Sequence, residues 1–344
     1  MSDLAPSDTV VVTGAAGWLG QNLVRALTDR GRVRCLVSRA DEAPVLEVVS
    51  PNIDVVVGDV RDPAVADRLL EGVGGDATVF HAAAVIHPAK HVRELYDVNV
   101  GGTQLVLDRA RRAGVRRFVH VSSNSPFGAN AVPSERFDES SPYHPYMGYG
   151  RSKQEAEGIV LRSHARGDLS AVIVRPPWFY GPFQPERQSQ WFAAVRRGRF
   201  PIIGDGTQQR SMVYAGNLVH GLLRAEVADA APGRAWWIAD PEPYELREIL
   251  ETVRAALDAE GVAVSGTLRH VPRALGSMAE ALDAALQSRG RYVQAVHVLG
   301  ELKDTIACDV GAAQKEIGYE PDVGLLDGMR ASIRWGLERG MTFS

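Results

Sequence analysis

TVVVTGAAGWLGQNLVRALTDRG, residues 9–31, sets an unbroken β-branched run against a helical pattern and places Gly14, Gly17 and Gly20 at the junction. A run without polar alternation is a strand covered on both faces. Each glycine then has its own use. The first permits a tight turn, the second lets backbone approach a pyrophosphate, and the third lets the helix pack close to the strand. Trp18 and Leu19 open the helix, whose N-terminus offers oriented N–H groups to phosphates. Alone, such spacing is a weak signal, and its place at a first strand-to-helix junction is what gives it meaning.

Working outward, the same rhythm repeats. Strands are expected at VRCLVS (33–38), IDVVVGD (53–59), ATVFHAA (77–83), RFVHVSS (117–123) and SAVIVRP (170–176). Between them lie helical patterns at WLGQNLVRALTDRG, PAVADRLLEG, GGTQLVLDRARRAG and GYGRSKQEAEGIVLRSHARG, each expected to close on its glycine. Alternation of this kind predicts an α/β fold, a Rossmann doubly wound parallel sheet. After RPPWFYGP the rhythm breaks, and a smaller C-terminal α/β substrate lobe is expected. The predicted division is 8–180 for the dinucleotide domain, with 213–230 packing back on it, and 181–212 with 231–340 for the lobe. IIGDGTQQRSMVY reads as a hairpin or a crossing. Residues 274–302 read as helix, in a lid, a dimer surface or, by preference, facing the core.

Composition narrows the function. The chain has 344 residues, 45% hydrophobic and 23% charged, enough for a sizeable core. A formal net charge of -4 lacks the basic footprint of a nucleic-acid binder, so a small-molecule substrate is expected. The cluster Arg109, Arg111, Arg112, Arg116 and Arg117 reads as a solvated helix end complementing the helix dipole. Two distant cysteines, Cys35 and Cys308, give neither a disulfide framework nor a zinc site. His81, His87 and His91 share no face, and no metal is expected. MSDLAPSD has no signal-peptide pattern, and no apolar run reaches the ~18 residues that span a bilayer, so the cytoplasm is the expected location.

At the second strand's end, where a carboxylate would favour NAD(H), the chain reads Val37-Ser38-Arg39. A hydroxyl and a guanidinium suit a 2′-phosphate, which favours NADP(H) and leaves NAD(H) possible; alternatively Arg39 points into solvent. Asp59 and Val60 read as bracketing the adenine, or Asp59 as a helix N-cap. Small Ala82, Ala83 and Ala84 leave room for a cofactor.

Tyr149 and Lys153 are four apart in a helical pattern and share a face. A phenol is a poor acid or base near neutral pH, but an adjacent ammonium and a cationic nicotinamide favour its phenolate. Tyr143 and Tyr146 have no lysine at that spacing. Ser122 and Ser123 end the fifth strand, where a hydroxyl can steer a substrate oxygen, or where both merely terminate a strand. Asn99, in DVNVGGT, reads as holding backbone or water near the lysine, or as a cap.

Taken together, TGAAGWLG, GDV at 58–60, HAAA at 81–84, DVNVGGT at 97–103, VSSNSPFG at 121–128, YGRSK at 149–153, RPPWFYGP at 175–182 and the closing AAQKEIGYEP resemble the extended short-chain dehydrogenase/reductase family, the NAD(P)-dependent epimerase/dehydratase superfamily. The match runs in order over nearly the whole chain. The resemblance implies that Tyr149 is the acid/base, that Lys153 binds the nicotinamide ribose, that Ser123 aligns the substrate and that Pro176 flanks the nicotinamide.

Within that family three departures tilt away from sugar nucleotides. Trp178 stands where epimerases usually carry asparagine. Ser123-Asn124-Ser125 stands where dehydratases show Thr-Asp-Glu. GELKDTIACDV lacks a second arginine clamp. Arg210 is the counter-signal, falling where a diphosphate-binding arginine sits, or serving as a salt-bridge residue. RPPWFYGP, AGNLVHG and AWWIADPEPYELRE look more like the 3β-hydroxysteroid dehydrogenase-like branch, with Trp178, Phe179, Trp191 and Phe192 as an apolar pocket or as second-lobe core. The leading expectation is an oxidoreductase interconverting a secondary alcohol and a ketone. A nucleotide-sugar 4-epimerase and a non-catalytic dinucleotide sensor are the alternatives. The helices at 101–113 and 150–166 resemble those that pair in family dimers, so a homodimer is expected.

Overall fold

The computed structural model describes residues 3–89 and 91–343. Six apolar runs become parallel strands of one sheet: β1 (Thr9–Thr13), β2 (Arg32–Val37), β3 (Ile53–Val57), β4 (Thr78–His81), β5 (Arg117–Val121) and β6 (Ala171–Arg175). A seventh, Ala235–Trp237, pairs in parallel with β6. The sheet order from that strand is β6, β5, β4, β1, β2, β3, so chain order reverses between β4 and β1. The doubly wound parallel sheet is therefore as expected. In such sheets ligands lie beyond the strand C-termini at the reversal. Cys35 and Cys308 are buried and free.

Helix ends depart from the simple glycine rule. Thr103–Ala113 closes on left-handed Gly114, as predicted. Trp18–Arg25 stops at Ala26, well short of Gly31, whose N–H instead donates to Asp8 Oδ1 at 3.0 Å. DVNVGG at Asp97–Gly102 forms a π-helical turn leading into the Thr103 helix.

The core is continuous across the expected lobe boundary. Val213, Leu218, Leu222 and Ala225, from the Met212–Tyr214 strand and the Ala215–Val227 helix, join the β1-side core, and so do Trp236, Ile306, Cys308 and Ile317. The range 231–340 thus does not stay in the lobe: Ala235–Trp237 belongs to the main sheet, and the Gly311–Ile317 helix packs beside it. The lobe's own core gathers Trp191, Phe192, Ile202, Leu250, Met329 and Ile333.

IIGDGTQQRSMVY is not a hairpin. Its three short strands pair with three separate partners: Pro201–Ile203 with Arg269–Val271, Gln209–Arg210 with Tyr244–Glu245, and Met212–Tyr214 with Trp178–Tyr180. Residues 274–302 form two helices, Arg273–Gln287 and Gln294–Glu301, that pack on each other. The first is not core-facing throughout, since Leu275, Met278 and Leu282 are exposed.

The basic cluster also divides. Arg117 is buried, because its Nη1 donates to the carbonyls of Ala225, Glu226 and Ala228 at the end of the Ala215–Val227 helix. It satisfies orphan carbonyls there rather than facing solvent. Arg109 pairs with Asp67, and Arg116 reaches Ser7 and the Ala5 carbonyl.

Candidate active site

The C-terminal ends of β1, β4 and β5 bring together the glycine loop, Ala82–Ala84 and Ser122–Ser123. After β1, Gly14 has φ +67°, and a Cβ on it would lie 2.8 Å from Ala83 N, so only glycine fits the turn. A Cβ on Gly20 would lie 2.2 Å from Gly14 O, so the third glycine is what lets the helix close on the loop. Gly17 is exposed at the N-cap and no side chain caps the helix, which leaves first-turn N–H groups open. Backbone donors without a cap, beside a turn no side chain can enter, fit a dinucleotide pyrophosphate. Trp18 and Leu19 turn their side chains inward; the indole donates to Pro182 O at 2.9 Å.

After β4, Ala82 N donates to Thr13 O and Ala83 N to Thr13 Oγ1, which fixes the alanine segment against the glycine loop. Ala82 and Ala83 are half-buried and Ala84 is exposed. The donors run one way from there. Thr13 Oγ1 meets His81 Nδ1 at 2.8 Å, His81 Nε2 meets Thr103 Oγ1 at 3.0 Å, and Thr103 Oγ1 donates to Asn99 O at 2.7 Å. Because the single Thr103 hydroxyl proton goes to Asn99 O, His81 Nε2 is the donor to Thr103 Oγ1. Burial pushes the His81 pKa down to about 3, with Lys153 adding to the effect.

Asn99 holds the loop at Val85, accepting from its N–H at 2.8 Å and donating to its carbonyl at 2.9 Å, and donates to Ser152 Oγ at 3.0 Å. It therefore positions the residue just before Lys153. Val60 is buried, and so is Pro176, directly after β6. Asp59 is bound by its neighbour Arg61 through backbone and guanidinium, and Asp62, not Asp59, caps the Pro63–Leu70 helix.

Tyr149 and Lys153 lie on the buried face of the Met147–Ala165 helix. Burial pushes the Tyr149 phenol up to about 12; adjoining Ser123 pulls it back, Glu301 raises it and Arg187 lowers it. Burial brings Lys153 down to about 8, against the support of Glu157. Its Nζ donates to Val121 O at 2.7 Å, leaving further ammonium protons for a ligand. Ser123 Oγ adjoins the Tyr149 phenol and makes long contacts of 3.3 Å to Ser125 Oγ and 3.4 Å to Asn124 Oδ1, besides accepting the Ser125 N–H at 3.2 Å. A loosely held hydroxyl beside a buried phenol keeps hydrogen-bonding capacity for another oxygen.

Ser122 has a different role from its neighbour. Its Oγ donates to Glu157 Oε1 at 2.5 Å, and Glu157 forms a fully buried pair with Arg175 at 2.6 Å. Tyr143 OH donates to Glu157 Oε2 at 2.6 Å. Glu157, Arg175 and Tyr143 were not among the residues expected at the site. Glu157 carries a usable signal, since Tyr149, Lys153 and Glu157 recur every four residues.

The expected substrate residues separate. Arg210 is buried against Glu301, with Nη1 3.6 Å from Oε1 and Nη2 donating to the carbonyl, the salt-bridge arrangement. Trp191 and Phe192 are lobe core, and half-buried Trp178 packs on Trp191 with ring centroids 5.6 Å apart. Phe179 packs on Trp18 in a tilted arrangement, ring centroids 4.6 Å apart. Ser38 and Arg39 are engaged by carboxylates: Glu42 Oε2 takes the Ser38 N–H and hydroxyl, and Asp41 takes Arg39 Nε. Among the described residues, no cluster of His, Cys, Asp or Glu is arranged to hold a metal, and no helix is long and apolar enough to cross a membrane.

The NAD dependent epimerase/dehydratase family matches residues 10–239. The 4-hydroxy-2-methyl-3-oxo-4-farnesyl-3,4-dihydroquinoline-1-oxide ketoreductase of Stigmatella aurantiaca is 32% identical over 93% of this chain and 94% of its own. A 3 beta-hydroxysteroid dehydrogenase/Delta 5-->4-isomerase of Mycobacterium tuberculosis is 34% identical over 72% of this chain and 69% of its own. In fold, the chain is similar to the UDP-glucuronic acid 4-epimerase of Bacillus cereus in complex with NAD, with TM-score 0.75 and 21% identity over 96% and 99% of the two chains. With the glycine loop, the Tyr149/Lys153 helix and the family match in agreement, the chain belongs to the NAD dependent epimerase/dehydratase family, enzymes of the extended short-chain dehydrogenase/reductase superfamily.

Proposed function

We propose that the protein is an NAD(P)-dependent oxidoreductase that interconverts a secondary alcohol and a ketone, in the manner of the 3β-hydroxysteroid dehydrogenase-like branch. The observation that carries this is the buried Tyr149 phenol beside the loosely held Ser123 hydroxyl, with Lys153 one turn further along the helix. A bound nicotinamide supplies or takes the hydride. In the reductive direction Ser123 and Tyr149 both donate to the ketone oxygen, and the Tyr149 proton passes to it as the alcohol forms. Lys153 uses its free ammonium protons on the nicotinamide ribose and stabilises the phenolate left behind. Gly14, Gly17 and the first-turn N–H groups of Trp18 and Leu19 hold the pyrophosphate.

A mainly apolar ketone of isoprenoid, steroid or other natural-product type is the substrate class we favour, on the names of the two relatives and on half-buried Trp178 and Phe179 at the lobe junction. Arg210 is committed to Glu301, which weakens the sugar-nucleotide alternative. A pair of copies joined through the Thr103–Ala113 and Met147–Ala165 helices would cover the cleft of about 860 Å³ lined by Tyr96, Gly101, Leu105 and Glu155.

The test is net consumption of reduced nicotinamide, followed by absorbance, with cyclic and isoprenoid ketones. Tyr149→Phe should lower turnover by roughly 100-fold or more while dinucleotide affinity stays within about threefold. Tightly retained cofactor with no net redox would transfer the protein to the epimerases. Unchanged activity in the variant would refute the role of Tyr149.

A further inference from the structure

A doubly wound sheet presents the adenosine ribose of a dinucleotide to the end of its second strand. There the chain folds a carboxylate back onto its own donors. Glu42, in the short turn Ala40–Glu42, accepts at Oε2 from Ser38 N–H (3.0 Å), the Ser38 hydroxyl (2.9 Å) and Arg39 N–H (3.1 Å). Its Oε1 lies 3.2 Å from Arg39 Nη2, and Asp41 holds the other side of the guanidinium, 3.0 Å from Nε. Convergent N–H and O–H donors with a cation form an anion-binding nest. This one is filled from within.

Ser38 and Arg39 by themselves read as a 2′-phosphate site, and Glu42 reverses that reading. We propose that Glu42 is the cofactor-specificity residue, accepting an adenosine ribose hydroxyl and barring a 2′-phosphate, so that the protein takes NAD(H) in preference to NADP(H). The two oxygens of the carboxylate divide the work. Oε2 is saturated by three donors, whereas Oε1, among the described residues, has only the ion-pair contact and retains capacity for a hydroxyl. A 2′-phosphate of charge near ~-2 would need the nest that Glu42 occupies, with Asp41 and Glu42 already outnumbering Arg39. Discrimination would come from a repulsive element rather than from a missing contact. The same carboxylate also caps the Ala40–Glu42 turn, and that cap uses Oε2 alone.

The assignment rests on the dinucleotide reading of the site, but its test does not rest on turnover. Calorimetric titration of the full chain with NADH and NADPH should show NADH binding at least about tenfold tighter. Glu42→Ala, which empties the nest, should raise NADPH affinity by about tenfold or more and weaken NADH. Glu42→Gln, which keeps the shape and removes the charge, should give an intermediate ratio. Equal or tighter NADPH binding by the wild type overturns the assignment, as does an unchanged ratio in Glu42→Ala that melts like the wild type. Binding of neither dinucleotide overturns it together with the cofactor reading. A preserved NADH preference without ketone turnover supports Glu42 and counts against the proposed reaction alone.

Discussion

Replacing Glu157 by glutamine probes stability and chemistry through one atom pair. The Glu157 carboxylate is completely buried and takes Arg175 Nη2 at 2.6 Å, Tyr143 OH at 2.6 Å and Ser122 Oγ at 2.5 Å. The amide keeps the shape but removes the charge that compensates Arg175, which is 4% exposed on its side chain. Breaking one partner of such a pair costs about 3–5 kcal/mol, roughly 4–7 °C in melting temperature for a chain of this size. Glu157 also supports the charge of Lys153, one helical turn away. At a spacing of about 6 Å and an effective dielectric of about 20, that support is worth on the order of 3 kcal/mol. Lys153 stands at about 8 with Glu157 present, so its removal lets the ammonium lose its proton at lower pH, and the alkaline limb of kcat/KM moves toward acid. The assays are thermal denaturation and a pH–rate profile on the same preparations. The double replacement Glu157→Leu with Arg175→Met should recover part of the stability, because no buried charge is then left alone, although Ser122 and Tyr143 lose their partner. A Glu157→Gln variant that melts within about 2 °C of the wild type and keeps its alkaline limb would refute both halves of the reasoning.

Gly20→Ala places a methyl 2.2 Å from Gly14 O, so the helix must back away from the loop; melting temperature and NADH affinity should fall together, and an unaltered titration would count against the cradle. Asn99→Ala strips both partners from Val85 and one from Ser152, leaving buried groups worth about 1–3 kcal/mol unsatisfied; turnover should drop about tenfold with the Tyr149→Phe effect still present on top of it. Burial holds Tyr149 protonated at neutral pH, with its pKa at about 12, so the group is ready to donate. Ketone reduction should therefore be flat through neutral pH and decline as Lys153 titrates near 8, while alcohol oxidation, which needs the phenolate, should climb with pH. Oxidation that slows between about pH 6 and about pH 8 would contradict that assignment of proton donor.

How far the sequence reaches depends on the range of the interaction that decides each feature. Gly14 and Gly20 are legible because their constraint lies within a few residues: a left-handed turn and a helix that must pass over its own carbonyl. Tyr149 and Lys153 are legible through helical spacing. Glu157 continues that spacing, but its partner Arg175 lies across the helix-to-β6 contact, and no local pattern joins them. Arg117 shows the same limit from the other side. Its basic neighbours suggest solvent, whereas the carbonyls of Ala225, Glu226 and Ala228, more than a hundred residues later, draw it inside. The lobe's strands of two or three residues have no periodicity to read, and their three separate pairings are set by tertiary packing. Glu42 lies between these cases. It is only three residues from Arg39, close enough for sequence to see, yet its meaning depends on one turn folding back rather than running outward. A two-residue fingerprint at a strand end is therefore incomplete until the charge of the following turn is counted, because an anion supplied by the chain competes for the same donors as an anion supplied by the ligand.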